Sequence, residues 1–258
     1  MSDTPSRFER AIEITRDSVA LAVVPVAATL LSGSKIARTL SAGPGGGVTF
    51  PLPTGLPTLW TYVSVPSVTG PGSAGGPLSL VAFIPLFVVG LLITAALEAG
   101  FLGSLSRRID GGAFALVEGV KRFTLRMVGV NLLRAAIVFA VFPLVVVPPL
   151  AIVVVLGLMY LVYGLPFEVV VHDVDFRTAL ETTVSHALDG GPYATFGIAH
   201  LVAGAVASLF LTSLVRNGGV LGIVIATLVI AVPAVFVAVY GLLVFRDLTT
   251  VEAGSARR

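Results

Sequence analysis

Long runs of apolar residues constrain this chain more than any other feature of its sequence. A helix needs about 20 apolar residues to cross the roughly 30 Å hydrocarbon core of a bilayer. Five runs meet that length, namely residues 78–97, 127–147, 150–171, 195–214 and 219–245. A sixth run, residues 18–34, is shorter, but Lys35 and Arg38 beyond its end can reach the interface and so extend it. The sequence therefore predicts about six membrane spans.

The composition excludes several classes of protein. Of the 258 residues, 56% are hydrophobic and 12% are charged, whereas a soluble domain carries about twice that charged fraction. A net charge of +2 is too small to attract nucleic acid, and the lack of cysteine rules out disulfides and thiolate chemistry. We predict an all-α, polytopic helix bundle that forms a single membrane domain over residues 1–258, with the lipid bilayer as its main partner and no nucleic-acid partner.

The distribution of basic residues predicts the orientation. Twelve of the 16 Lys and Arg residues fall on one side of the predicted spans, and only Lys35, Arg38 and Arg216 fall on the other. By the positive-inside rule, both termini are expected in the cytoplasm of a multi-pass cell-membrane protein. No small-residue cleavage site ends a hydrophobic run, so a removable signal peptide is not expected.

One loop differs from the rest of the chain. Residues 41–77 contain nine Gly, seven Pro and no charged residue, a composition that predicts an irregular coil on the outer side of the membrane. Within this loop, residues 59–65 alternate apolar and polar side chains around Trp60 and Tyr62. This pattern suggests either a short outer binding strand or lid, or an aromatic anchor at the headgroup level.

Three segments share a helical pattern of apolar residues. Residues 6–17, 112–125 and 174–188 each predict an amphipathic helix lying in the cytoplasmic interface, just before the first, third and fifth spans. Asp110 is expected to cap the second of these helices, and Gly190 or Gly191 to end the third. The similar pattern and spacing predict three repeats of one unit, an interfacial helix followed by a transmembrane hairpin.

The second half of the chain resembles a known membrane domain. The resemblance rests on YGLPFEVVVHD at 163–173, ALETT at 179–183, DGG at 189–191 and YGLLVFRDL at 240–248. These segments resemble the six-span module that is fused to some glycerophosphoryl diester phosphodiesterases and is also found alone in prokaryotic membrane proteins. The resemblance implies the membrane scaffold without the enzyme, because no room remains here for the separate soluble catalytic barrel.

Catalytic and cofactor motifs are missing from the sequence. There is no His-Glu-x-x-His, no Gly-x-Ser-x-Gly and no phosphate-binding loop ending in Lys-Ser or Lys-Thr. The three histidines, His172, His186 and His200, lie on different segments, so they are not expected to converge on a metal. We therefore expect no enzyme activity, no catalytic residue, no metal and no cofactor.

Arg134 is the most informative single residue. It lies seven residues beyond Met127, about 10 Å into the predicted third span, where a charge needs a partner or access to water. Glu98 and Glu168 are candidate counter-ions, and Asn131, one turn away, extends the same polar strip. The strip is interpreted either as a cytoplasm-facing pocket for an anionic group, such as a lipid phosphate, or as a structural ion pair.

The fifth predicted span adds two further features. His200 lies inside it and is interpreted either as a hydrogen-bonding residue between helices or as part of a proton relay. Small residues recur at four-residue spacing, Gly204 and Ser208 among them, and predict a close packing contact.

These features leave two hypotheses for function. The first is a non-catalytic scaffold or a subunit of a larger membrane assembly, with another membrane protein as partner. The alternative is a transporter or lipid-handling protein that holds an anionic lipid or other anion around Arg134, with Asn131, Glu98, Glu168 and His200 as candidate ligand-binding residues.

Overall fold

The computed structural model describes residues 6–66 and 77–255, and every regular element within these ranges is helical. The α-helices are α1 (Arg7–Asp17), α2 (Val23–Leu30), α3 (Gly33–Ser41), α4 (Leu59–Tyr62), α5 (Pro77–Ile109), α6 (Leu116–Val141), α7 (Pro148–Val162), α8 (Leu165–His172), α9 (Phe176–Asp189) and α10 (Gly191–Ser255). Two short 3₁₀ helices, Val19–Ala22 and Phe142–Val146, precede α2 and follow α6. The predicted all-α class is confirmed for the described part of the chain.

Several of these helices are suited to a membrane. Four helical stretches are long and apolar enough to cross a bilayer, namely Ile84–Ile109, Leu116–Leu144, Pro148–His172 and Gly191–Leu248. The number rises to five if the bent pair Val19–Leu30 and Gly33–Ser41 counts as one broken span. The helices fit a multi-pass membrane protein, whereas the predicted total of six spans stays a prediction.

The longest helical stretch, α10, contains a reversal. Gly219 has non-helical backbone angles (φ 56°, ψ −136°), so α10 consists of a first arm, residues 191–218, and a second arm, residues 220–255. A Cβ placed on Gly222 would lie 2.2 Å from the carbonyl oxygen of Leu214. Eight residues of continuous helix would separate these positions by about 12 Å. The two arms therefore pack side by side, at the positions of the predicted spans 195–214 and 219–245.

The predicted first span, residues 18–34, is not one helix. It begins with a 3₁₀ turn, continues as the eight residues of α2, and bends by 62° into α3. Eight residues of helix span only about 12 Å, so α2 cannot cross a bilayer by itself. The bend falls at Leu31 and Ser32, beyond Pro25, which lies in the first turn of α2.

The expected interfacial helices are separate elements in two of the three cases. α1 is closed by a capping box between Ser6 and Glu9, and α9 is capped by Asp175 and ends at Gly190 (φ 74°), as predicted for that glycine. In contrast, α6 runs without a break from Leu116 to Val141, so the expected helix at 112–125 is continuous with the third span. The three units therefore differ at this point, and the repeat stays a prediction.

Ion pairs gather the two ends of the described chain at one end of the bundle. The pairs are Arg7–Asp247 (2.6 Å), Arg246–Asp110 (2.6 Å) and Arg108–Asp17 (3.4 Å). Asp110 is thus an ion-pair partner and not the helix cap that the sequence predicts, since Ala115 occupies the N-cap of α6. The opposite end holds a separate apolar cluster, in which Trp60 and Tyr62 of α4 pack against both arms of α10.

Candidate functional site

The Gly/Pro-rich loop packs among the helices, and its predicted place on the outer side of the membrane stays a prediction. Residues 43–58 form a coil, as expected, but Pro51, Pro53 and Leu56 are buried. The part of the predicted loop at residues 67–76 lies outside the described residues. Within a membrane, non-helical backbone is tolerated where other parts of the protein bury it or where it lines a cavity. This coil meets both conditions, since it is partly buried and also lines a cavity.

The composition of the coil explains how it can be buried. Proline has no N–H group, so each proline removes one donor that burial would leave unpaired. The N–H groups of Thr49 and Ser64 donate to the hydroxyl oxygens of Ser208 (2.8 Å) and Thr212 (3.0 Å) on the first arm of α10. Ser208, a small residue predicted for close packing, thus contacts the coil.

Arg216 satisfies the carbonyl groups at the start of the coil. Its guanidinium donates to the backbone oxygens of four residues at 3.1 to 3.4 Å, namely Ala42, Gly43, Pro44 and Gly46. A planar group with five donors suits such a set of converging acceptors. Arg216 therefore fastens the coil to the reversal of α10.

The aromatic segment of the loop is neither a strand nor an interfacial anchor. Residues 59–62 form the single turn α4, and both Trp60 and Tyr62 are buried. The Trp60 indole donates to the carbonyl of Thr29 in α2 at 2.9 Å, and the Thr29 hydroxyl accepts from the N–H of Leu59 at 3.2 Å. These contacts fix the coil to α2, so the predicted strand and the exposed aromatic anchor are wrong, whereas the lid stays a prediction.

Three of the predicted site residues meet beside the coil. Arg134 Nη1 donates to Glu98 Oε1 at 3.2 Å, and Asn131 donates to Glu98 Oε2 at 3.1 Å. The side chain of Glu98 is 2% exposed and that of Arg134 is 19% exposed. Arg134 lies about 27 Å along α6 from Leu116, and Glu98 about 21 Å along α5 from Ile84. This polar triad, Glu98–Arg134–Asn131, therefore lies deep within two candidate spans.

The coil backbone lies directly against the polar triad. A Cβ placed on Gly55 would be 2.4 Å from Glu98 Oε1 and 2.7 Å from Leu102 Cδ1. No side chain fits there without displacing the carboxylate, so glycine is required for this close approach. The coil thus closes one side of the site, and Glu98 links α5, α6 and the coil.

A cavity of about 240 Å³ adjoins Arg134. The coil residues Pro51 and Thr54, together with Tyr163, line it beside the guanidinium. Arg134 Nη2 and Thr54 Oγ1 are both buried and have no hydrogen-bond partner among the described residues. Two polar side chains that line this cavity therefore each have an atom without a hydrogen-bond partner among the described residues.

A second cavity of about 620 Å³ adjoins the other side of the triad. Asn131 lines it at one point, and Lys35 and Ser34 line it at another. Both cavities contact coil residues that were expected on the outer side. The cytoplasm-facing position of the pocket around Arg134 stays a prediction.

Glu168 does not belong to the triad. Its fully buried carboxylate lies 2.9 Å from His186 Nδ1 and 3.2 Å from His172 Nε2. Two of the three histidines thus converge on one carboxylate, which the sequence analysis did not foresee. The four-residue spacing of Glu168 and His172 on α8 was the available signal. Neither these three side chains nor any other group of three or more His, Asp or Glu side chains among the described residues is arranged so that it could hold a metal ion.

His200 lies apart from Arg134. It is buried on the first arm of α10, with its Nε2 3.5 Å from the hydroxyl of Tyr62 and its ring 6.3 Å from that of Phe196. Its polar contact therefore runs to the segment that follows the coil. This contact matches the hydrogen-bonding interpretation, although the partner is α4 and not a neighbouring span.

Comparisons with protein-family models, curated proteins and solved structures found no match to this chain. The chemistry of the site must therefore be judged from its own residues. The polar triad offers hydrogen-bond donation from a positively charged group at a buried position, next to a space that can hold a small ligand group. That capability is suited to binding.

Proposed function

We propose that this protein is a non-catalytic, multi-pass membrane protein that binds a ligand with an anionic or strongly hydrogen-bond-accepting group at Arg134, and that it handles or transports this ligand. One observation carries the proposal. Arg134 Nη2 is buried beside a cavity of about 240 Å³ and has no partner in the described part of the chain. A small shift of the Arg134 side chain, which is 19% exposed, would let a ligand oxygen in the cavity accept a hydrogen bond from this nitrogen.

The energetics favour a ligand over a purely structural ion pair. An unsatisfied buried polar group costs about 1–3 kcal/mol, and more when it is charged. A structural Arg–carboxylate pair is commonly bidentate, with both terminal nitrogens in use. Here Glu98 takes a bond from Nη1 and a second bond from Asn131, and Nη2 is left over.

The buried coil supports the same conclusion. Broken or irregular backbone at membrane depth is typical of the substrate sites of transporters, where it lines the binding cavity. Residues 51–54 of the coil line the Arg134 cavity, and Leu56 and Thr58 line the second cavity. The other hypothesis, a scaffold or subunit that binds another membrane protein, has no comparable feature in its support.

The proposal includes a topology. We propose six crossings, with the bent pair α2–α3 as the first and the two arms of α10 as the last two. The end that holds Arg7, Asp110 and Arg246 is proposed to face the cytoplasm, because most basic residues lie there. The resemblance to the six-span module fused to some phosphodiesterases belongs to this proposal and supplies no activity.

The test measures binding of a small alkyl phosphate, ethyl phosphate, to the full chain in detergent by the shift of its thermal unfolding midpoint. Glu98→Gln removes the carboxylate that competes for Arg134, so binding should tighten by about tenfold. Arg134→Gln combined with Glu98→Gln removes both charges and leaves a neutral amide at each position, so binding should disappear.

The double variant is the matched control, because it leaves no buried charge without a partner and should fold. Arg177→Gln removes an arginine of α9 whose side chain is 87% exposed and lines neither cavity, and this variant should bind ethyl phosphate as the wild type does. If the Glu98→Gln variant folds normally but does not bind ethyl phosphate more tightly, Arg134 is a structural residue, and the result supports the scaffold hypothesis.

A further inference from the structure

The second cavity is a groove open to the bilayer. It lies between the bend of α2 and α3 on one side and α5 and α6 on the other, with a volume of about 620 Å³. Leu31 and Leu86 are among the residues that line it, and they are 64% and 72% exposed. Large aliphatic side chains with such exposure in a membrane-spanning region face lipid chains.

The polar end of this groove carries a positive charge. Lys35 lines it together with Ser34 and Thr58, and no acidic side chain is among the described residues that line the groove. Lys35 also has no carboxylate within ion-pair distance in the described ranges, whereas Arg134 and Arg246 each have one. An uncompensated, half-buried ammonium group therefore faces the groove beside two hydroxyl groups.

The other end of the groove is apolar over a length of α5. Leu86, Gly90 and Leu91 contribute to it, and Leu31, at the bend after α2, also lines the groove. A water-soluble anion would not bind to this part of the groove, because apolar side chains offer no favourable contact to a charged group. A molecule with a charged headgroup and hydrocarbon chains matches both ends at once.

We propose that the groove between α2–α3 and α5–α6 binds an anionic phospholipid, with its headgroup at Lys35 and an acyl chain along Leu86, Gly90 and Leu91. This site is distinct from the one at Arg134, because its cation and its cavity are different. Its deep end reaches Asn131 of the polar triad.

The single tryptophan of the chain provides a direct probe. Trp60 lies next to the groove, since its indole bonds to Thr29, the neighbour of the lining residue Ala28. The full chain is reconstituted in phosphatidylcholine vesicles that contain a small fraction of brominated phosphatidylglycerol or, separately, brominated phosphatidylcholine. We expect the brominated phosphatidylglycerol to quench Trp60 fluorescence at a severalfold lower mole fraction.

Two variants with matched controls test the two ends of the site. Lys35→Gln should weaken the preference for phosphatidylglycerol about fivefold, the effect of one cation near an anionic headgroup. Arg38→Gln removes a cation of α3 that does not line the groove but interacts electrostatically with Lys35, so its effect on the preference should be clearly smaller than that of Lys35→Gln. Gly90→Leu should fill the groove and reduce quenching by both lipids, since no described atom lies within 4 Å of its Cβ position. Gly157→Leu on α7 is its control.

Three results would overturn the proposal. Equal quenching by the two lipids would remove the headgroup preference. Equal effects of Lys35→Gln and Arg38→Gln would show general attraction to basic residues and no defined site. Loss of the preference on addition of inorganic phosphate would assign Lys35 to a free anion. The double variant of Glu98 and Arg134 should keep the preference for phosphatidylglycerol. Failure of the Arg134 proposal can therefore be distinguished from failure of the lipid-binding proposal.

Discussion

Gly204→Ala tests whether the coil is packed within the helix bundle. Gly204 lies on the first arm of α10, and a Cβ at this position would be 2.3 Å from Pro51 Cγ and 3.4 Å from Tyr62 Cε1. Ordinary contacts between carbon atoms begin at about 3.5 Å, so Pro51 would have to move by about 1.2 Å. Its ring is rigid and buried, and therefore it cannot rotate away as a flexible side chain would.

The expected cost follows from two opposing effects. Overpacking of a buried contact costs about 1–3 kcal/mol, whereas Gly→Ala within a helix gains up to about 1 kcal/mol. Gly157 on α7 has no described atom within 4 Å of its Cβ position, so Gly157→Ala shows the helix gain alone. The difference between the two variants then measures the packing cost, and we expect it to be about 1–3 kcal/mol.

The assay is equilibrium unfolding of both variants and the wild type in the same mixed micelles, followed by the fluorescence of Trp60. We expect Gly204→Ala to be less stable than the wild type and Gly157→Ala to be equally or more stable. If the two variants agree within about 0.5 kcal/mol, the coil does not contact the first arm of α10 as described, and the burial of residues 51–57 would have to be abandoned.

Three further outcomes are expected. Arg216→Ala leaves several coil carbonyls without a donor and should lower the unfolding free energy by about 2 kcal/mol, with faster proteolysis in the coil. Unchanged proteolysis would contradict the role of Arg216 in fastening the coil to α10. Hydrogen bonds from the guanidinium of Arg122, foremost, and of its neighbour Arg126 lower the pKa of Asp173 to about 2. The stabilisation from the ion pairs of Asp173 should therefore be complete above about pH 4 and lost as the pH falls through about 2. The difference in unfolding midpoint between Asp173→Asn and the wild type should persist at pH 4. A difference that vanishes already at pH 4 would refute the pairing. Glu168→Gln removes the buried carboxylate beside His186 and should lower the unfolding free energy by about 3 kcal/mol. Replacement of the half-buried His172 by Gln should lower it less. The reverse order would contradict the central position of the carboxylate.

Part of the candidate site could be predicted from the sequence, because a charged side chain inside an apolar run has a high free-energy cost. A charge such as Arg134 inside an apolar run must be compensated wherever the run ends up. Glu98 and Asn131 were named on that ground, and both contact the site. Glu168 was named by the same reasoning and lies elsewhere, because an apolar run specifies depth along its own helix and not which neighbour faces it.

The loop illustrates the same limit more clearly. Its lack of charge and its prolines and glycines indicated a coil, and residues 43–58 are a coil. The same composition also removes donors and side-chain bulk, so the coil can lie inside the bundle as well as outside it. The two positions are distinguished by tertiary contacts, such as those of Gly55 with Glu98 and of Pro51 with Gly204.

The sequence by itself determined the helical class, the apolar stretches long enough for a membrane and the residues whose polarity is costly there. These properties are local, since each follows from the composition and period of a short segment. The tertiary structure decided the burial of the coil, the reversal at Gly219, the partner of each buried charge and the two cavities. Each of these depends on which surfaces meet, and contacts between segments far apart in the chain leave no periodic trace in either segment.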